Sequence, residues 1–197
     1  MLAMDTLRLA LPTTAATGSR GLRCVLGAGM LAVMWSSALP ASASPAASTL
    51  AGVYKHMQKP TIENGERVQS EDILEIVPYG PEKDRKAYFR LQMRFAMFHS
   101  CDATGIARTT PDGLDFQGEA FGNACSLKIA FTPRGLRIRD EEDRCRMAFC
   151  GARGTLNWTS PILRSDRRPI RYLQRLLDSD QYEQAVALNK GAAVPKP

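Results

Sequence analysis

Histidine is scarce in this 197-residue chain, which contains only His56 and His99. The sequence also lacks a glycine-rich phosphate-binding loop and a metalloprotease motif. His99 and Cys101 fall on one face of a predicted strand, but a cysteine held in a disulfide is not available as a nucleophile. The sequence therefore predicts no catalytic residue, no metal site and no cofactor.

The main apolar run, residues 25–39, is shorter than the roughly 20 residues that a transmembrane helix needs. It follows three arginines and precedes the small residues Ala41 to Ala43. This order is typical of a signal peptide. We therefore expect a signal peptide over residues 1–43, cleavage near Ala43, and a periplasmic or secreted mature chain without a transmembrane span. A membrane anchor is the alternative.

Without residues 1–43 the chain keeps 23 basic and 19 acidic residues, so its positive charge is small. Such a charge allows an envelope protein or an anionic envelope component as a partner, but it does not require one. Nucleic acid is not an expected partner, because no aromatic side chains that stack on bases interleave with the arginines near the C-terminus.

Four cysteines remain beyond residue 43: Cys101, Cys125, Cys145 and Cys150. An even count in an exported chain predicts two disulfides, whereas a four-cysteine zinc site normally shows two closely spaced pairs. We favour Cys101–Cys125 together with Cys145–Cys150. Two pairings stay open, namely Cys125–Cys145 with Cys101–Cys150, and the third, crossed arrangement.

Alternating apolar and polar residues predict β-strands through most of the chain. The clearest case is one long, bent strand from Lys86 to Cys101, with an apolar face formed by Phe89, Leu91, Met93, Phe95 and Met97. Turn signals at residues 111–113 and 132–135 predict two further hairpins. We predict a mainly β fold, an antiparallel β-barrel or strongly curved sheet stapled by disulfides, with two short C-terminal helices.

The fold is predicted to occupy a single domain over residues 50–189, with flexible tails at 44–49 and 190–197. The two helices are expected from about residue 168, the first opening at Pro169 and the second capped near Asp178. Arg168, Arg171 and Arg175 then share one helix face. We interpret that face either as solvated surface or as a site for an anionic partner.

The stretch CRMAFCGARGTL, Cys145 to Leu156, is the strongest candidate for a binding site. Gly151 and Gly154 allow backbone conformations closed to other residues, and Arg153 lies between them. A guanidinium fixed in this way presents a planar fork of donors to a carboxylate or phosphate. The alternative is that Arg153 braces the loop by pairing with a nearby acid such as Asp140 or Asp143.

The segments LEIVPYG, CRMAFCGARGTL and RRPIRYLQRLL together resemble an exported proteobacterial family that carries a C-G-A-R-G segment and has no established activity. The likeness covers most of the chain after residue 43. The CGARG segment, Cys150 to Gly154, also resembles a loop of the periplasmic lysozyme-inhibitor families. Those proteins are small disulfide-stapled β-barrels that insert a small-residue loop into the lysozyme cleft. The Ser-Gly start and the following tyrosine of that loop are missing here.

The leading hypothesis is a non-enzymatic binding protein of the periplasm or cell exterior. Its partner would be a protein, for example a cell-wall hydrolase that it inhibits, or another envelope component. The first alternative is a barrel that holds a small apolar ligand, which requires an internal cavity. The second is an envelope enzyme, which requires a cleft where His56 or His99 meets a carboxylate.

Overall fold

The computed structural model describes residues 46–95, 99–120, 123–151 and 153–191, and these residues form ten strands and four α-helices. The strands are β1 (Gly52–Met57), β2 (Thr61–Glu63), β3 (Glu66–Val68), β4 (Glu71–Tyr79), β5 (Lys86–Arg94), β6 (Ser100–Thr109), β7 (Gly113–Ala120), β8 (Asn123–Thr132), β9 (Gly135–Asp140) and β10 (Trp158–Ser160). The helices are α1 (Ala47–Leu50), α2 (Arg146–Phe149), α3 (Leu173–Leu177) and α4 (Asp180–Asn189), and short 3-10 turns cover Glu82–Asp84, Glu141–Asp143 and Arg164–Asp166. The predicted signal peptide, residues 1–43, and Met97 lie outside the described residues.

Eight strands form one antiparallel sheet that is nearly closed into a barrel, in the order β1–β4–β5–β6–β7–β8–β9–β10. The two edges meet where Val53 of β1 exchanges two backbone hydrogen bonds of 2.8 Å with Arg168. Nearby, Ser160 of β10 donates its hydroxyl to the carboxylate of Asp72 on β4 at 2.9 Å. The predicted antiparallel barrel or curved sheet is therefore confirmed.

Apolar side chains fill the inside of the barrel. Phe89, Leu91 and Met93 of β5 are fully buried, as are Tyr54 of β1 and Leu127 of β8. Each such side chain contributes about 1.5–3 kcal/mol by leaving water. The inner face predicted for Phe89, Leu91 and Met93 is confirmed. Alternation along a strand sends every second side chain to the same side.

The long alternating segment from Lys86 to Cys101 is two strands and not one bent strand. β5 ends at Arg94, β6 begins at Ser100, and the Phe95 amide donates to the His99 carbonyl at 2.8 Å across the reversal. Alternation identifies the face of a residue, but it does not show where a chain reverses when both strands keep the same parity. Cys101 does lie on the inner face, fully buried.

The two C-terminal helices cover the outer face of the sheet. Val77, Tyr88 and Ile106 form an outer apolar cluster with Leu176 of α3 and Ala185 of α4. The two predicted helices are thus present at the C-terminal end, and they bury a second core outside the barrel.

The start of each helix differs from the prediction. Pro169 does not open the first helix, because Arg168 is held in extended pairing with Val53 and the chain turns only afterwards, so α3 begins at Leu173. The second helix is capped by Ser179 rather than Asp178, and the Ser179 hydroxyl accepts from the Tyr182 amide at 3.4 Å.

The predicted flexible tail at residues 44–49 is wrong from residue 46 onward. Ala47 and Leu50 of α1 are buried in the main core, and the Tyr54 hydroxyl donates to the Leu50 carbonyl at 2.7 Å. The polar segment 59–70 contains the β2–β3 hairpin. Within the described ranges, the helices are too short and too polar to cross a membrane.

Candidate functional site

Two disulfides hold the segment that follows β9. They join Cys101 to Cys150 and Cys125 to Cys145. The favoured pairing is therefore wrong, and one of the open alternatives is the observed one. The reason is the sheet: among the described residues, β6 pairs with β7 only at Arg108 and Thr109, so β7 leaves β6 before it reaches Cys101. Cys125, on β8 opposite Gly118 of β7, is therefore not brought beside Cys101.

The segment from Cys145 to Gly151 occupies the place beside β6 that β7 leaves open. Cys150 pairs with Cys101 as an isolated β-bridge, and the Gly151 amide donates to the Ser100 carbonyl at 3.0 Å. Phe149 of α2 packs against Phe116 with ring centroids 6.4 Å apart. The segment is therefore part of the barrel wall and a rigid support for the residues that follow it.

A buried carboxylate anchors the start of this segment. Asp140, which is 4% exposed, accepts from the amides of Cys145 at 2.9 Å and Arg146 at 2.6 Å. Burial raises the pKa of Asp140, while these two backbone donors oppose the shift. Asn157, which follows the segment, is tied back to its start. Its side chain accepts from the Asp140 amide at 3.0 Å and donates to the Asp140 carbonyl at 3.2 Å.

Gly151 and Gly154 lie in a tight turn beside the Cys101–Cys150 disulfide. The Gly154 amide donates to the Gly151 carbonyl at 3.0 Å, which closes the turn. Gly154 is buried, and a β-carbon there would lie only 2.7 Å from the Cys101 sulfur. Gly154 is thus a packing position, which corrects its prediction as a partner contact. Gly151 is exposed.

Arg153 is exposed beside this rigid base. Within the described ranges, its side chain has no hydrogen bond or ion pair. Two acids close in sequence bond elsewhere: Asp140 holds the start of α2, and Asp143 accepts from Asn157 at 2.8 Å. Met147 of α2, on the same disulfide-held segment, is 75% exposed. Sequence inspection missed Met147 because its neighbours are also apolar and its exposure depends on how α2 is seated.

The three arginines predicted to share a helix face do not do so. Arg168 lies in the extended pairing with β1, Arg171 in the turn before α3, and Arg175 in α3 itself. Arg168 donates to the Arg167 carbonyl at 3.0 Å, and the Arg175 guanidinium lies 5.2 Å from the centre of the Tyr172 ring. All three are exposed, but they form no common helical surface.

One buried polar group brings a serine, an aspartate and a histidine near each other. Asp72 is directly opposite His56 in the β1–β4 register, and it accepts from Ser160, from Gln58 at 2.7 Å and from the Arg94 amide at 3.1 Å. Ser160 is fully buried and Asp72 is 1% exposed. The serine donates to this buried carboxylate, so the hydrogen bond links β10 to β4.

The chemistry of the remaining acidic, histidine and cysteine side chains does not suggest a metal centre. Among the residues that the structure describes, no group of three or more of them is placed to hold a metal ion. The segment with Arg153 is therefore the candidate site. Comparisons of this chain with protein-family models, with curated proteins and with solved structures find no match.

Proposed function

We propose that the protein is a non-enzymatic binding protein that presents Arg153 and Met147 to a partner protein. The observation that supports this most is the state of Arg153: exposed, without a partner in the described residues, and carried by a turn that rests on a disulfide. A side chain mounted on a rigid base loses less freedom on binding, and its planar fork of donors suits a carboxylate.

Met147 is a second exposed side chain, carried by α2 between the two disulfide cysteines Cys145 and Cys150. It is the most exposed of the large apolar side chains in the described chain, at 75%. Methionine adapts its shape to the pocket that receives it, and arginine is frequent among the residues that dominate interfaces. The matching partner surface is an acidic pocket with an apolar wall.

A cell-wall hydrolase is a partner of this kind, and we infer that inhibition of such an enzyme is the specific role. Glycoside hydrolases carry a pair of carboxylates in the cleft, where an inserted guanidinium would bind. The two disulfides suit an oxidising compartment such as the periplasm, where these enzymes work.

A barrel that stores a small apolar ligand is the less favoured function. Tyr54, Phe89, Leu91 and Met93 occupy the interior, and all are fully buried. Two cavities on the surface, of about 590 and 640 Å³, are lined by charged and hydroxyl-bearing residues. Neither suits an apolar ligand.

The test starts with partner capture from periplasmic extract, using the chain from residue 44 onward. Arg153→Ala should weaken binding to the captured partner by roughly 2 kcal/mol, the scale of an interface anchor. Its melting temperature should stay within a few degrees, because surface substitutions change stability by about 0.5 kcal/mol at most. Arg153→Lys should restore part of the affinity, since a point charge replaces the fork incompletely.

Arg139→Ala is the matched control, because Arg139 is an exposed arginine of β9 outside the disulfide-held segment. It should leave binding unchanged. A large loss of stability in Arg153→Ala with unchanged binding would show that the arginine braces its loop. If the captured protein is a cell-wall hydrolase, equimolar wild-type protein should slow its cleavage of cell-wall glycan, and Arg153→Ala should slow it less.

A further inference from the structure

The end of the barrel opposite the disulfide-held segment carries a cluster of positive charge. Antiparallel pairing places the turns after β4, β6 and β8 at one end, whereas the segment after β9 lies at the other. At the first end, a cavity of about 640 Å³ lies between two turns. Its lining residues are Lys83, Asp84, Arg85, Lys86, Arg108 and Thr109. This cavity thus collects four cationic side chains and one carboxylate.

Two of the cations are direct neighbours on adjacent strands of the sheet. Lys86 of β5 lies directly opposite Arg108 of β6, an arrangement that like charges make unfavourable. Lys128 and Arg139 form a similar pair on β8 and β9, but there Glu141 bonds Lys128 at 2.8 Å.

The pair in the cavity has no such ion pair, although Asp115 of β7 lies opposite Arg108 in the strand register. Of the ion pairs between described residues, none includes Lys83, Arg85, Lys86 or Arg108. Lys86 instead donates to the neutral side chain of Asn189 at 3.2 Å. The four cations outnumber the two nearby acids, Asp84 and Asp115, so the cavity keeps an excess of positive charge.

The backbone beneath the cations is held in an uncommon conformation. Arg85 has φ of 50°, a left-handed value that side-chain-bearing residues seldom adopt. The buried Thr109 fixes it, because its amide donates to the Arg85 carbonyl at 2.8 Å and its hydroxyl donates to the same atom at 3.3 Å. Strained backbone persists where the surrounding structure imposes it, and such positions cluster at ligand sites.

We propose that this cavity binds a phosphate-bearing anion. Phosphate offers several oxygens to converging guanidinium and ammonium donors, and its double charge offsets more of the repulsion than one carboxylate does. Arg164 and Arg167 line a second cavity at the same end, where they donate to the carbonyls of Pro111 at 3.3 Å and Thr49 at 2.8 Å. The phosphate comes either from a soluble molecule or from a phospholipid headgroup.

The test measures pyrophosphate binding by calorimetry at low salt, and co-sedimentation with vesicles of phosphatidylglycerol or of phosphatidylcholine. Lys86→Gln and Arg108→Gln should each weaken binding about tenfold, because each removes a charged donor. Arg139→Gln is the matched control, with the same loss of charge on another part of the surface. Raising the salt concentration should weaken binding in all arms.

Two results support the proposal and identify the source. Binding of pyrophosphate, with loss in both cavity variants and not in the control, indicates a soluble phosphate. Binding of phosphatidylglycerol vesicles without binding of pyrophosphate, lost in both cavity variants and kept in the control, indicates a phospholipid headgroup. Two results overturn it: no binding of either probe, or an equal loss in Arg139→Gln, which would show attraction to net charge only. Arg153→Ala should leave phosphate binding unchanged, so this test is independent of the proposed partner protein.

Discussion

Replacing Gly154 by alanine should destabilise the fold more than any other small change in the CGARG turn. The added β-carbon would lie 2.7 Å from the Cys101 sulfur, 2.9 Å from the Cys150 β-carbon and 3.0 Å from the Ser100 carbonyl oxygen. These atoms belong to a crosslink and a paired strand, so they cannot move aside as the end of a flexible side chain would. Overpacking of this kind costs about 2 kcal/mol, which lowers the melting temperature of a domain this size by about 4–8 °C.

Gly151→Ala is the matched control within the same turn. Gly151 is exposed, and the nearest atom to a β-carbon there is the Ser100 carbonyl oxygen at 3.9 Å. Thermal melts of the oxidised proteins should therefore show wild-type behaviour for Gly151→Ala and early melting for Gly154→Ala. Reduction should bring the two variants closer together, because it frees the segment beneath the turn. Equal melting of both oxidised variants would refute the placement of the turn on the disulfide.

Further predictions concern Tyr88 and the crosslinks. The Tyr88 hydroxyl is buried without a hydrogen-bond partner in the described residues, so Tyr88→Phe should raise the free energy of unfolding by about 1 kcal/mol in a denaturant titration; a loss of stability would contradict this. Burial raises the pKa of Tyr88 from 10.0 to about 12, so the folded state holds this proton more tightly than the unfolded chain. The resulting stability is complete below pH 10 and is lost as the pH rises toward about 12, and Tyr88→Phe should flatten this loss in unfolding titrations across that range. Reduction of the two disulfides should lower the free energy of unfolding by about 2–5 kcal/mol, and alkylation before reduction should label none of the four cysteines; labelling of all four in folded protein would rule the crosslinks out.

Local alternation was enough to predict the faces of the strands. Phe89, Leu91 and Met93 are two residues apart, and the geometry of a strand sends them to one side whatever the rest of the chain does. The reversal between β5 and β6 was not predicted, because the inward-facing residues of both strands follow the same alternation. The start of α3 was also predicted wrongly, because it depends on the pairing of Arg168 with Val53, which are far apart in the sequence.

The position of the candidate site was predictable from the sequence, but the packing beneath it was not. The sequence places Arg153 between two glycines next to a crosslink, which is enough to single it out. It does not show that Gly154 is buried while Gly151 is exposed, because that difference depends on which cysteine lies under the turn. The cavity with Lys86 and Arg108 was not predicted from the sequence, because these residues become neighbours only through strand register.

Closure of the barrel by Arg168 has a consequence for the order of folding. β1 is the first strand of the described chain, and its outer edge finds its bridge partner only when the segment after β10 has been added. During synthesis, which starts at the N-terminus, the chain therefore carries an unpaired strand edge and a half-covered apolar face until the segment after β10 has been made. Such an edge is a template for pairing with another copy. A chain truncated before Trp158 should accordingly aggregate, with β1 as the strand through which neighbouring copies join.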